Sequence, residues 1–165
     1  MKSVAITLKK GEIMSDVVNI AHVTGRRLMS PETAEKASDI QTPEDGVDKY
    51  IVARAMAFAL TEVRKKCARY LNSGRLTDNN GLEDITGDFV LNLEMPDRWN
   101  HGVTSDLTQK MHAHVVDYCV YAIFEKTNPQ EAANYLTKAT SELEEVKSIL
   151  ELRTAPIRRS ADKLY

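Results

Sequence analysis

Apolar and polar positions change period several times along the chain, and each change marks an element. Val4, Ile6 and Leu8 alternate with smaller or polar neighbours in "SVAITL", the period of a half-buried strand over 3–8. "KKGE" is read as a turn. Val17, Ile20, Ala21, Thr24 and Leu28 then keep helical spacing, so a helix over 16–28 is predicted, with Ser15 as its N-cap. The next stretch, "SPETAEKASDIQTPEDG", is nearly free of large apolar residues and reads as exposed loop, with a short helix opening at Ser30-Pro31-Glu32 at most. Thr42 as N-cap, Pro43 at the first helical position and Asp45 in the first turn open a long helix to about Leu71. One stripe on it is Val52, Met56, Leu60, Val63, Cys67 and Tyr70. A second stripe, Val47, Ile51, Ala55 and Phe58, covers only the first half, which is therefore expected to be enclosed by protein.

"NSGRLTDNNGLEDITGD" is dense in turn formers and reads as a hairpin or irregular loop. Period two returns in "FVLNLEM", where Phe89, Leu91, Leu93 and Met95 share one face, and Pro96 ends this second strand. Ser105-Asp106 begins a helix to about Glu125 that is apolar almost all round, so it is placed at the centre of the fold. Asn128 caps a last helix opened by Pro129, and Ala132, Leu136, Ala139, Leu143, Val146 and Leu150 run along it in strict 4-3 alternation. That narrow seam is expected to pack on the 105–125 helix. The fold class is mainly α: a four-helix bundle-like domain over 1–152, with a small β-sheet from strands near 3–8 and 88–95. An isolated strand pair is marginal in water, so the strands are expected to gain partners from residues 74–87 or from a neighbouring subunit. An extended basic C-terminal arm over 153–165 completes the chain.

Composition changes this picture little. The 165 residues are 42% hydrophobic and 28% charged, in keeping with one ordinary globular domain with a substantial core. Cys67 and Cys119 both fall in apolar-periodic stretches and read as buried free thiols in a reducing compartment. No run approaches the ~20 apolar residues of a membrane span, and "MKSVAITLKKGE" has no signal-like apolar core, so a cytoplasmic site of synthesis is expected. Charge is unevenly spread. The formal total is −2, yet Arg153, Arg158, Arg159 and Lys163 against Asp162 give the arm +3, which leaves −5 on residues 1–152.

No constellation in the sequence carries catalytic chemistry. His112 and His114 diverge by roughly 200° around a helix and cannot share an ion. His114 and Asp117 could, but no third ligand stands one turn away, so no metal is expected and the two are read as a His–Asp pair inside the packing. The seven glycines form no phosphate-binding loop, and no serine sits in a nucleophile elbow. No catalytic residue, cofactor site or metal site is assigned. Trp99 in "DRWNHG" reads as a core or interface anchor. The candidate interaction residues are the basic set Arg64, Lys65, Lys66, Arg69 and Arg75, and the arm residues Arg153, Pro156, Arg158, Arg159, Lys163 and Tyr165. The basic set could face phosphate, remain a solvated face, or complement the acidic stretch Glu32, Glu35, Asp39, Glu44, Asp45 and Asp48 on an adjacent subunit.

Three stretches in order resemble a family of small proteins encoded in phage and prophage gene clusters of gut anaerobes. They are "ITLKKGEIMSDVVNIAHVTGRR", "SDIQTPED" and the run from "FVLNLEMPDRWN" to "NPQEAANYLTKATSELEEVKSILELRTAPIRRS". The resemblance implies a virion-assembly context. Within it, a subunit of a head–tail connector or neck ring is expected, with tail completion protein as the alternative. The implied partners are further copies in a ring and the portal or adjacent neck and tail proteins, with no membrane and no sequence-specific nucleic-acid contact. The implied location is the virion, assembled in the host cytoplasm. Thirteen arm residues can reach ~45 Å when extended, against a radius of gyration near ~15 Å for such a domain. The arm can therefore cross a neighbour. Pro156 favours extended backbone at Ala155, Arg158 and Arg159 would meet acidic patches, and Leu164-Tyr165 would anchor apolarly. The rivals are a cytoplasmic nucleic-acid-associated helical protein using residues 64–75 and the basic arm, and an enzyme of unrecognised class.

Overall fold

A computed structural model describes residues 1–27, 47–71 and 87–154 of the chain. They form a mainly helical fold with a small antiparallel sheet, as the periodicity predicts. Strand β1 (Lys2–Leu8) pairs with β2 (Phe89–Met95) in a register that sets Val4 opposite Leu93, Ile6 opposite Leu91 and Leu8 opposite Phe89. All six side chains are buried, so the alternation in each strand lands on one face. Among the described residues the sheet has two strands, and Leu71 adds a single antiparallel bridge to Leu93. A strand pair is marginal alone; this one gains its stability by laying its apolar face in the common core.

Helix α1 runs over Lys10–Arg27, six residues earlier than its predicted start. "KKGE" is its first turn, with the Ile13 N–H donating to the Lys9 carbonyl at 3.1 Å, and Ser15 lies inside the helix rather than capping it. Ile13 explains the difference. It is fully buried in line with Val17 and Ala21, and burying it requires helix from the preceding turn. Gly11 costs little there, because a first turn is less demanding than a helix interior.

Helix α2 (Val47–Cys67) passes into a 3₁₀ turn, Ala68–Tyr70. Every member of the stripe Val52, Met56, Leu60, Val63, Cys67 and Tyr70 is buried. The start signal Thr42-Pro43-Asp45 lies outside the described residues, as do all of 28–46 and 72–86, which the sequence reads mostly as loop. The first half of α2 is not enclosed as expected. Ala55 is buried, but Phe58 is 51% exposed and Tyr50 72% exposed. Phe58 stacks on Tyr118 at 5.2 Å between ring centroids, which covers one of its faces and leaves the other open.

Helix α3 (Thr104–Phe124) is the central element the sequence predicts. A 3₁₀ turn, His101–Val103, leads into it, and the Asn100 side chain caps that turn by accepting from the Gly102 N–H at 3.1 Å. Its buried residues, from Leu107 to Phe124, spread over a wide arc, and it packs against β1, α1, α2 and the last helix. That last helix, α4 (Pro129–Glu151), starts as predicted, with Asn128 Oδ1 accepting from the Glu131 N–H at 3.2 Å. The seam meets α3 with one change: Leu136 is 38% exposed, and Tyr135 is buried in its place. Tyr135 stacks on Phe124 and shares a 2.7 Å hydrogen bond with Thr24 Oγ1, so two partners turn that part of the helix toward residue 135. Lys110 bonds Glu142 and Glu145, both at 2.8 Å, and clamps α3 to α4.

Candidate interaction surface

The sequence places its candidate residues on two elements, the end of α2 and the chain beyond α4. At the end of α2, the five basic residues do not share one fate. Lys65 pairs with Glu62 at 2.7 Å, and Lys66 reaches across to Glu144 on α4 at 2.6 Å. Those two lysines neutralise carboxylates of the chain's own fold. Arg64 is half-buried and Arg69 exposed, and neither enters an ion pair among the described residues. Arg75 lies outside the described residues.

Beyond α4, the chain turns extended at Leu152 and is fastened down. Arg153 forms an antiparallel bridge with Trp99. The Thr154 N–H donates to the Arg98 carbonyl at 2.8 Å, and the Asn100 N–H donates to the Leu152 carbonyl at 3.3 Å. The Arg153 guanidinium donates to the Leu150 carbonyl at 2.8 Å, the Leu152 carbonyl at 3.1 Å and the Tyr70 hydroxyl at 3.3 Å. Arg153 therefore acts within its own domain, satisfying the carbonyls that a helix C-terminus leaves open. The indole of Trp99, 1% exposed, donates to the Ile149 carbonyl at 3.0 Å. Trp99 is a core anchor. Pro156, Arg158, Arg159, Lys163 and Tyr165 lie outside the described residues.

Sequence reasoning missed this hook. It joins two short extended pieces whose bridged residues, Trp99 and Arg153, are 54 apart, and neither piece carries a periodicity of its own. It also missed the aromatic platform of Phe58, Tyr118 and Tyr121, in which Tyr121 meets Tyr118 at 5.4 Å and 61°. The signal was present in Phe58, which belongs to the stripe that stops halfway along α2.

The histidines part as their spacing requires. His112 Nε2 contacts Asp16 Oδ2 at 2.8 Å and ties α3 to α1. His114 is buried, and its Nδ1 bonds the Ala139 carbonyl of α4 at 2.8 Å in place of the expected contact with Asp117. A carbonyl only accepts, so Nδ1 carries a proton. Burial pushes the imidazole pKa down and so favours the neutral ring, with the backbone at Ala139 and Ala59 pulling the other way. Asp117, half-buried one turn on, is pushed up by burial, with Lys138 pulling the other way. Among the described residues no cluster of three His, Cys, Asp or Glu side chains could hold a metal ion. A shallow groove of about 570 Å³ between α1 and α3 contains His112 and Lys9, held by Asp16 and Glu12 respectively. No described helix is long and apolar enough to cross a membrane.

Comparison with protein-family models, curated proteins and solved structures finds no match. The class that the geometry itself defines is a small mainly α domain with a two-stranded sheet. Its distinctive surface features are an arginine-bearing outer face on α2 and a C-terminal segment fastened at its exit point.

Proposed function

We propose that the protein is a structural virion component, a subunit of a phage head–tail connector or neck ring, which assembles with further copies and with the portal or adjacent neck and tail proteins. The observation that carries this reading is the hook at residues 152–154. Backbone hydrogen bonds with Arg98 and Asn100 hold the chain extended over 152–154, so the basic segment 155–165 of the sequence starts from a fixed point. An arm that crosses a neighbour needs such an anchor, because a fixed exit limits the volume the arm must search before it docks. The ordered sequence resemblance supplies the virion context, and the segment's Arg158, Arg159 and Lys163 suit an acidic partner surface.

The test is to produce particles or connector complexes with two variants, a chain ending at Thr154 and the double substitution Arg158→Glu/Arg159→Glu. Both are expected to keep the wild-type melting profile, because the hook and the core remain. Both are expected to lose incorporation into the neck. Normal incorporation of the shortened chain refutes the arm. Incorporation at the tail end of the particle instead assigns the tail completion role. Loss of salt-dependent oligonucleotide binding, with incorporation unchanged, assigns the nucleic-acid reading.

A further inference from the structure

Helix α2 and the 3₁₀ turn that follows it carry an exposed row of residues on their outer side. Arg54, Phe58, Thr61, Lys65 and Arg69 follow one another at steps of four, three, four and four, the spacing of one helix face, and all five are exposed. Arg64 flanks the row one turn after Thr61. Among the described residues Lys65 is neutralised by Glu62, whereas Arg54, Arg64 and Arg69 enter no ion pair. The helix dipole favours cations in the last turn, which accounts for Arg64 but not for Arg54 or Arg69. Between the arginines lies the half-exposed Phe58 ring, backed by Tyr118 and Tyr121. An aromatic platform flanked by guanidinium groups that enter no ion pair among the described residues suits an acidic segment that carries an aliphatic anchor.

The sequence holds one such segment. Residues 39–48 carry Asp39, Glu44, Asp45 and Asp48 with Ile40 among them, and the last two of them open α2. The acidic segment therefore joins one end of α2, and Arg64 lies about 25 Å further along the same helix. Glu44 and Asp45 precede the start of α2 by two or three residues while Arg64 and Arg69 lie at its far end, so these charges can meet only between copies, in a head-to-tail contact of the kind that closes into rings. We propose that the α2 face formed by Arg54, Phe58, Arg64 and Arg69 docks residues 39–48 of a second copy of this chain, Ile40 on the aromatic platform and the carboxylates on the arginines. This rests on the assembly reading above and names the partner of its basic helix. Glu62 and Glu125 act electrostatically on Tyr118, so the platform itself suits an uncharged group and the charges of an anionic partner must fall on the arginines.

The experiment compares four full-length chains by sedimentation and native mass at low salt and at about ten-fold higher salt. They are wild type, Arg64→Glu/Arg69→Glu, Glu44→Lys/Asp45→Lys, and the chain combining all four substitutions. Wild type is expected to associate at low salt and to dissociate as salt rises. Each double variant is expected to associate about ten-fold or more weakly, since pairs become repulsions. The combined chain is expected to recover association, as is an equal mixture of the two double variants, because opposite charges face each other again. A wild-type monomer at low salt overturns the proposal. So does undiminished association of a double variant, or failure of the combined chain to recover while its melting profile matches wild type. A labelled single-stranded oligonucleotide that binds wild type but not Arg64→Glu/Arg69→Glu, with mass unchanged, overturns it in favour of nucleic acid. Particle incorporation is scored separately: a chain that self-associates as described yet never enters particles retains the docking face and loses the neck assignment.

Discussion

Leu136 and Leu143 occupy equivalent positions in the 4-3 pattern of α4, and the same substitution at each is expected to have unequal effects. Leu143 is 7% exposed and packs in the common core, whereas Leu136 is 38% exposed. Leu143→Ala removes the nearly fully buried isopropyl end of the side chain, worth about 2–2.5 kcal/mol in transfer alone. The unfilled cavity brings the total to about 2–4 kcal/mol. For a domain of this size each kcal/mol lowers the melting temperature by roughly 2–4 °C, so a drop of about 5–15 °C follows. Leu136→Ala loses only partial burial and gains slightly in helix propensity, so its cost stays below about 1 kcal/mol. Urea and thermal unfolding followed by far-UV circular dichroism, with equal slopes in urea as the check on two-state behaviour, give both values. Equal losses at the two sites refute the reasoning. A loss below about 1 kcal/mol at Leu143, accompanied by disrupted assembly, moves the seam from the core to an intersubunit contact.

Acid is expected to destabilise the fold through His114. Its native pKa lies below the ordinary 6.5, so the unfolded chain binds a proton that the native chain refuses, and stability falls as pH drops through 6.5 toward the native value. His114→Gln is expected to flatten that slope in a pH series of melts, while Asp117, pushed upward, contributes an opposite slope at lower pH as its protonation relieves a buried charge. Both thiols, pushed up to about 12 by burial, are expected to react with an aromatic disulfide only as fast as the fold opens. A burst of labelling in the native protein contradicts their placement.

Periodicity sufficed wherever one neighbour decides a residue's environment. The strand alternations, the long stripe of α2, the central place of α3 and the Asn128 cap all stand in the structure where the sequence puts them. Two errors came from local signals that tertiary packing overruled. Ser15 resembles a cap, but burial of Ile13 extends the helix past it. The ideal repeat selects Leu136, but Thr24 and Phe124 together select Tyr135. On the candidate surface, the sequence marks which residues are basic and not which are free. Lys66 is withdrawn by Glu144, 78 residues away, and no spacing along the chain encodes that pairing.

The placement of Trp99 also makes it an optical probe. It is the chain's one tryptophan, so intrinsic indole emission has a single source. That source is sealed from water, hydrogen-bonded to the end of α4 and edge-on to His101 at 5.1 Å. Its backbone is also bridged to Arg153, two residues before the segment 155–165 begins. Any event that loosens this junction admits water to the ring, shifts its emission to longer wavelength and alters quenching by the neighbouring imidazole. If the segment 155–165 acts as the proposed arm, its docking is readable in the unlabelled protein, from a fluorophore bridged to the chain just before it.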